Sequence, residues 1–255
     1  MATISPEGEG GPSSVGAQTL IRGLDLIEQA VREPMRMVEL VERSGLTRST
    51  ANRLITALVR RGFLAHGPGG RIRGGPELIR LGMIAQDRYD LVTVARPFLA
   101  DLSAETGLSS FLGQRDGDYS VHLHRAQGRE RVIVATPVGT RRKLVETSMG
   151  KALLFDEPAD ARRRLIAAAG ETIDAADFDR RLTDDIARGA VIHEGPPPDR
   201  IRAVAAPVRN AAGVIVGAVS MATAAQYLET EQLEPMSGAI RDTARAISEA
   251  LGWEA

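Results

Sequence analysis

Cysteine is absent from this 255-residue sequence, which excludes disulfides, thiol nucleophiles and cysteine-bound metals. Long apolar runs are absent too, since none approaches the roughly 20 residues that cross a bilayer. The formal net charge is only −1, so the chain as a whole is not a general binder of polyanions. Any affinity for nucleic acid must therefore come from a local excess of positive charge.

The sequence also lacks the patterns of catalysis and of protein export. Glycine-rich phosphate loops, nucleophile elbows and a paired acid and base are missing, so we expect neither an enzyme nor a bound cofactor. Residues 1–16 are rich in Gly, Pro, Ser and Glu, without the basic start and apolar core of a signal peptide. We expect a disordered tail here, in a cytoplasmic protein with no membrane partner.

Positive charge is concentrated in residues 44–80, which contain seven arginines against a single acid, Glu77. The arginines are Arg48, Arg53, Arg60, Arg61, Arg71, Arg73 and Arg80. Such a charge run is usually a solvated surface. Here it coincides with a helix-turn-helix pattern, and the coincidence favours DNA binding.

Helical periodicity predicts a helix over residues 19–32 and a second, shorter one that ends at the turn of Ser44 and Gly45. A third helix then runs to about residue 61, with Thr47 as its N-cap. Its apolar side carries Ala51, Leu54 and Leu58, and its polar side carries Ser49, Asn52, Arg53 and Thr56. A helix that follows a turn and exposes hydroxyl, amide and guanidinium groups suits the major groove of DNA.

Two short apolar runs, residues 63–65 and 71–73, flank a Gly/Pro-rich turn and predict a hairpin. Three helices and a hairpin make a winged helix-turn-helix domain, which we place at residues 17–76. Residues 77–90 form a helical run with few polar positions. We expect this run to be a connecting helix, or a packing surface for a second subunit.

Residues 91–255 predict an α+β domain with an antiparallel sheet, because strands, a helical middle, a terminal hairpin and a closing helix follow one another. The predicted strands are residues 111–113, 119–123, 131–135, 203–208 and 214–221. The predicted helices are residues 91–106, 148–155, 158–168, 178–188 and 231–251. The turn between the last two strands contains Asn210 and Gly213, which accept positive φ.

Five segments in order carry a family resemblance. They are Gly45–Leu54 with Arg61-Gly62-Phe63 after it, Gly74–Gly82, Gly150–Leu154, Ala205–Val208 and Ile247–Gly252. With them the chain resembles the IclR family of bacterial transcriptional regulators from about residue 15 to residue 253. The resemblance implies a winged helix-turn-helix followed by a GAF-like effector-binding domain. It also implies a homodimer, often paired into a tetramer, that controls nearby genes according to a small organic or aromatic acid.

Arg48, Ser49, Asn52 and Arg53 are the candidates for base contacts, since arginine pairs bidentately with guanine and asparagine with adenine. Thr47 and Thr50 are candidates for phosphate contacts or helix caps. Arg71 and Arg73 are candidates for wing contacts with phosphates or the minor groove. The alternative for an arginine such as Arg53 is a solvated helix face.

For the effector, the resemblance points to Val134, to Ser148, Met149 and Gly150, to His193 and to Ser220. Two physical arguments agree: free amides at a helix start favour a carboxylate, and a buried hydroxyl in an apolar strand needs a partner. The alternative for Ser148 is a simple N-cap. Met149 stands where the family usually has a small residue, and Ala222 stands where it usually has a second serine. Both differences make the expected pocket more apolar. We therefore hypothesise a larger, partly apolar or aromatic acid.

Some alternatives to this reading stay open. His122 and His124 share a strand face, but without a third ligand they predict surface histidines and no metal site. A ligand-binding or enzymatic module with an appended DNA anchor is one other class of protein. A structural dimerising protein whose positive face contacts partners is another.

Overall fold

The computed structural model describes residues 15–88, 90–129, 136–170, 173–195 and 201–254, and the chain divides into two compact units, residues 1–88 and 89–255. Residues 1–14 of the predicted tail and the predicted strand over residues 131–135, with Val134, lie outside the described residues. Val15 and Gly16 do not belong to a tail, because the first helix begins at Val15. Among the described helices, none has the length and apolar character needed to cross a membrane.

The first unit is a winged helix-turn-helix, as predicted. Its elements are α1 (Val15–Arg32), β1 (Met35–Arg36), α2 (Met37–Arg43), α3 (Arg48–Arg60), β2 (Leu64–His66), β3 (Arg71–Gly74) and α4 (Pro76–Arg88). The first three helices and the small sheet enclose one apolar core, in which the most buried side chains are Leu26, Ala30, Leu40, Ile55, Leu64 and Ile72. Gly45, at φ +64°, makes the turn between α2 and α3.

The sheet of the wing has three strands in the order β1-β3-β2. The sequence pattern predicts only the β2–β3 hairpin. In β1, Met35 lies opposite Ile72 and Arg36 lies opposite Arg71. A strand of two residues is too short for alternation to reveal it, and its apolar residue is buried because it pairs with β3.

The second unit is an α+β domain with an antiparallel sheet, also as predicted. Its helices are α5 (Leu91–Thr106), α6 (Ser148–Ala152), α7 (Ala159–Ala169), α8 (Ala175–Arg188) and α9 (Leu233–Ala250). Its strands are β4 (Ser110–Asp116), β5 (Tyr119–Ala126), β6 (Arg141–Lys143), β7 (Val191–Glu194), β8 (Ile201–Arg209) and β9 (Ile215–Ala224). Among the described strands the order is β6-β5-β4-β9-β8-β7, and the two outermost of these are short ones that periodicity does not predict.

The two faces of this sheet pack against different helices. One face, with Leu112, Val204 and Val219, packs against α5 and α9. The other face, with Phe111, Ala205 and Ala218, packs against α6, α7 and α8. Because side chains alternate along a strand, Ser220 and His193 fall on this second face, two residues beyond Ala218 and Val191.

Candidate DNA-binding and effector sites

The start of α3 is held by the hydroxyl of Thr47. This oxygen accepts a hydrogen bond from the backbone N–H of Thr50 at 3.4 Å, which confirms Thr47 as the N-cap. The Thr47 hydroxyl also donates to Oγ1 of Thr50 at 2.9 Å and lies 3.3 Å from Oγ of Ser49. These contacts fix the first turn of α3, so the side chains of the following residues point in defined directions.

The exposed side of α3 carries the candidate base contacts. Arg48, Ser49 and Arg53 are exposed, whereas Asn52 is partly buried. Arg48 and Asn52, one helical turn apart, border a groove of about 390 Å³ between α2 and α3. The opposite side of α3 is anchored by Ala51 and Ile55, which are 0% and 1% exposed. Burial of that side directs the polar side outward.

The wing presents both of its candidate arginines to solvent, although each also has a backbone contact. Arg71 donates from Nη1 to the carbonyl oxygen of Pro34 at 3.1 Å. Arg73 donates from Nη1 to the carbonyl oxygen of Gly74 at 3.5 Å. The tip between them and β2 turns at Gly69 and Gly70, with φ of +68° and +70°. Arg71 is therefore tied to the chain before α2, and Arg73 is the freer of the two.

In the second unit, α6 lies against the sheet face that carries Ser220 and His193. Met149 is 2% exposed and its sulfur packs on Gly113 of β4, where an added Cβ would overlap it. Gly150 sits against the backbone of Leu144, again with no room for a Cβ. The helix is five residues long and ends at Ala152, not at residue 155 as predicted, because Leu154 bonds back to Lys151 in a tighter turn.

The described effector candidates meet on this one face. Ser148 and Ser220 are 6% and 4% exposed, and Ser220 pairs with Phe111 on one side and Ala205 on the other. His193 pairs with Ala203, which in turn pairs with Ala222. Thr147 caps α6, since its hydroxyl accepts from the N–H of Gly150 at 3.0 Å. Ser148 is thus not the N-cap, which removes the simple alternative for that residue.

Beside His193, a cavity of about 220 Å³ opens between α6, α8 and β7. Nζ of Lys151 lies 3.4 Å from Nδ1 of His193 and 5.8 Å from the ring centroid of Phe178. Burial, and then the charge of Lys151, lower the pKa of His193 to about 4. Burial also lowers the pKa of Lys151 and raises the pKa of Asp185.

Two family profiles match the chain. The IclR helix-turn-helix domain matches residues 19–68, and the C-terminal domain of the bacterial transcriptional regulator IclR matches residues 83–249. The chain belongs to the IclR family. Its members are transcriptional regulators and not enzymes, in agreement with the sequence.

Individual members of the IclR family agree with this assignment. The regulator BhcR of Paracoccus denitrificans is 30% identical, over 94% of this chain and 90% of its own length. The transcriptional repressor AllR of Klebsiella pneumoniae is 25% identical, over 93% of this chain and 91% of its own. The crystal structure of Pseudomonas aeruginosa HmgR has the same fold, with a TM-score of 0.79, 24% identity and coverage of 93% and 99%.

Three polar or aromatic groups of this IclR-family protein line the cavity beside His193, and the periodicity of the sequence does not predict that they meet there. They are Lys151, Phe178 and Asp185. Lys151 belongs to the segment that carries the family resemblance, yet its meeting with His193 depends on the packing of α6 against β7. Phe178 and Asp185 come from α8, whose position over the sheet the sequence alone does not give.

Proposed function

We propose that this IclR-family regulator is an effector-responsive repressor that binds operator DNA through α3. The observation that carries the proposal is the exposed polar side of α3, placed by a capped first turn and anchored by Ala51 and Ile55. Repression is supported by AllR, a relative that is a transcriptional repressor. A bacterial protein that binds an operator acts in the cytoplasm.

In this proposal, Arg48, Ser49, Asn52 and Arg53 contact base edges in the major groove. Each bidentate contact from arginine or asparagine contributes about 1–3 kcal/mol of discrimination. Thr50 and the cap residue Thr47 lie at the helix start, where backbone N–H groups favour a phosphate. Arg71 and Arg73 contact phosphates or the minor groove from the wing.

We further propose that the protein acts as a homodimer, with dimers paired into a tetramer. Large apolar side chains of α1 are exposed in the single chain, among them Leu20 at 65% and Leu24 at 49%. Ile79 and Met83 of α4 are exposed at 67% and 62%. A second copy that covers these side chains would bury apolar surface and place two α3 helices at a fixed spacing on DNA.

The effector in this proposal is a small organic or aromatic acid. The residues proposed to surround its site are Ser148, Met149, Gly150, His193 and Ser220. The family resemblance adds Val134, which lies outside the described residues. The acid would act by population shift: it binds one arrangement of the dimer more tightly and so changes the spacing of the recognition helices.

The test is a binding titration with DNA from upstream of the protein's own gene, followed by fluorescence anisotropy at several salt concentrations. Arg48→Ala and Asn52→Ala should each weaken binding by about 5- to 150-fold, which corresponds to roughly 1–3 kcal/mol. Binding by the wild type should weaken steeply with salt.

Arg60→Ala is the matched control, because Arg60 is exposed on the same helix but at its far end. It removes the same charge, so its effect should be several-fold smaller than that of Arg48→Ala. Equal losses for Arg48 and Arg60 would mean that charge alone carries the binding. Indifference to Arg48→Ala and Asn52→Ala would refute the proposed interface.

A further inference from the structure

The cavity between α6, α8 and β7 brings together a lysine and a histidine inside the second unit. It is lined by Lys151, Phe178, Arg181, Leu182, Asp185, Ile192, His193 and Glu194. The chain has only two lysines, Lys143 and Lys151. Of these two, Lys151 lines the cavity, next to the candidate effector residue His193.

The carboxylates around the cavity already have arginine partners. Asp185 accepts from Nη1 of Arg188 at 2.7 Å, and from the N–H of Ile192 at 3.3 Å. Glu194 is paired with Arg202 at 2.9 Å.

On α8, Asp177 is held in the same way, by Arg180 and by Arg181, the latter at 2.7 Å. No described carboxylate lies within ion-pair distance of Lys151. The ammonium group of Lys151 donates to Nδ1 of His193 at 3.4 Å. The charges of Asp185 and Asp177 act on Lys151 from beyond ion-pair distance and favour its charged form.

The placement of Lys151 beside His193 suits the binding of an anion. Since the pKa of His193 is about 4, its ring is neutral near pH 7 while Lys151 stands beside it. A carboxylate that binds Nζ of Lys151 would cancel the charge that His193 now faces. It would also accept a hydrogen bond from a protonated imidazole, and an adjacent anion favours the charged form of histidine.

We infer that Lys151 is the charge receptor for the carboxylate of a small organic acid, and that His193 takes up one proton from solvent when the acid binds. This inference rests on the proposed effector-sensing function and names the group that recognises the acid. The acid would then bind more tightly as the pH falls. A lower pH and a higher concentration of the acid would therefore both favour the acid-bound state of the regulator.

The size and the lining residues of the cavity restrict which acids can bind in it. At about 220 Å³ it is smaller than the pockets of about 300 Å³ and above that hold drug-sized ligands. Phe178, Leu182 and Ile192 form its apolar wall. A short hydrocarbon chain or a single ring with a carboxylate matches these dimensions, whereas a polycyclic ligand does not.

Isothermal titration calorimetry of the full-length protein tests the inference, with acetate, lactate and benzoate as probes and the corresponding amides as uncharged controls. Titrations at pH 6 in two buffers of different ionisation enthalpy give the number of protons taken up. We expect a net uptake of up to one proton per acid bound, because the free protein holds His193 neutral at this pH. The association constant should fall by up to about tenfold for each unit of pH above 6.

Three variants separate the roles of the side chains. Lys151→Met should weaken binding by about tenfold or more, because it removes the charge and keeps the apolar stem. His193→Gln should still bind the acid, but without proton uptake and with a flat pH dependence. Lys143→Met removes the other lysine, which is paired with Glu146 at 3.1 Å, and should bind the acid like the wild type.

Acid binding without proton uptake, or full affinity in Lys151→Met, would overturn the inference and leave effector sensing intact. If no acid of the series bound the wild type, the inference would fall together with the effector part of the proposed function. DNA binding by α3 is measured separately on the same proteins, so its failure is distinguishable from both outcomes.

Discussion

The pH dependence of stability is the sharpest consequence of the buried His193. We predict that the wild type loses stability in mild acid because of this histidine, and that His193→Gln does not show this part of the loss. In the folded chain the pKa of His193 is about 4, whereas its ordinary value is 6.5. The unfolded state therefore binds more protons than the folded state between these two pH values. The stability that neutral His193 contributes is fully present above pH 6.5 and is lost as the pH falls toward 4.

The magnitude follows from the size of the shift. At 1.36 kcal/mol for each unit of pKa, the loss approaches roughly 3 kcal/mol below pH 4 and is about 2 kcal/mol at pH 5. Glutamine stays neutral over this range, so the variant should lack this part of the pH dependence. The difference between the two proteins isolates His193 from the carboxylates that titrate in the same window.

The assay is urea denaturation at several pH values from 7.5 to 4.5, followed by tryptophan fluorescence. The chain has one tryptophan, and Trp253 lies in the same unit as His193, so the signal reports on that unit. His66→Gln, which changes an exposed histidine of the wing, is the control for loss of a histidine. Parallel profiles for the wild type and His193→Gln would refute the reasoning.

Two further predictions concern local structure and are measured by calorimetric unfolding. Thr47→Ala should lower the free energy of unfolding of the first unit by about 1 kcal/mol, because α3 loses its cap, and Thr47→Ser should restore it. Gly150→Ala should destabilise the second unit, since its Cβ would overlap the backbone of Leu144. Gly238→Ala is its control in α9: there the nearest atom is 4.0 Å away, and alanine should stabilise by about 0.4–1 kcal/mol. Equal effects at the two glycines would contradict this account of α6.

Local patterns in the sequence were sufficient for the helices and the hairpin of the winged helix-turn-helix, although not for the two-residue strand β1. The spacing of Ala51, Leu54 and Leu58 marks one buried side of α3, and Thr47 supplies a cap with a recognisable chemical signature. Gly45 marks the turn. Each of these signals lies within a few residues of the feature that it predicts, so no knowledge of distant contacts is needed.

The edges of the larger sheet and the cavity beside them were not predictable in this way. β7 has four residues, and its place next to β8 depends on pairing with a strand that begins seven residues after it ends. The 3.4 Å contact between Lys151 and His193 joins residues 42 positions apart. Periodicity identifies the buried side of an element, but it does not say which element covers that side.

Direct reading of bases by α3 is the central claim, and one measurement tests it most directly. Every base pair of the operator is substituted in turn, and the affinity of each variant DNA is measured for the wild type, Arg48→Ala and Asn52→Ala. We predict that each protein variant loses base preference at one or two positions and keeps it elsewhere, with a cost of about 1–3 kcal/mol. A uniform loss across all positions, with every base preference retained, would contradict the claim.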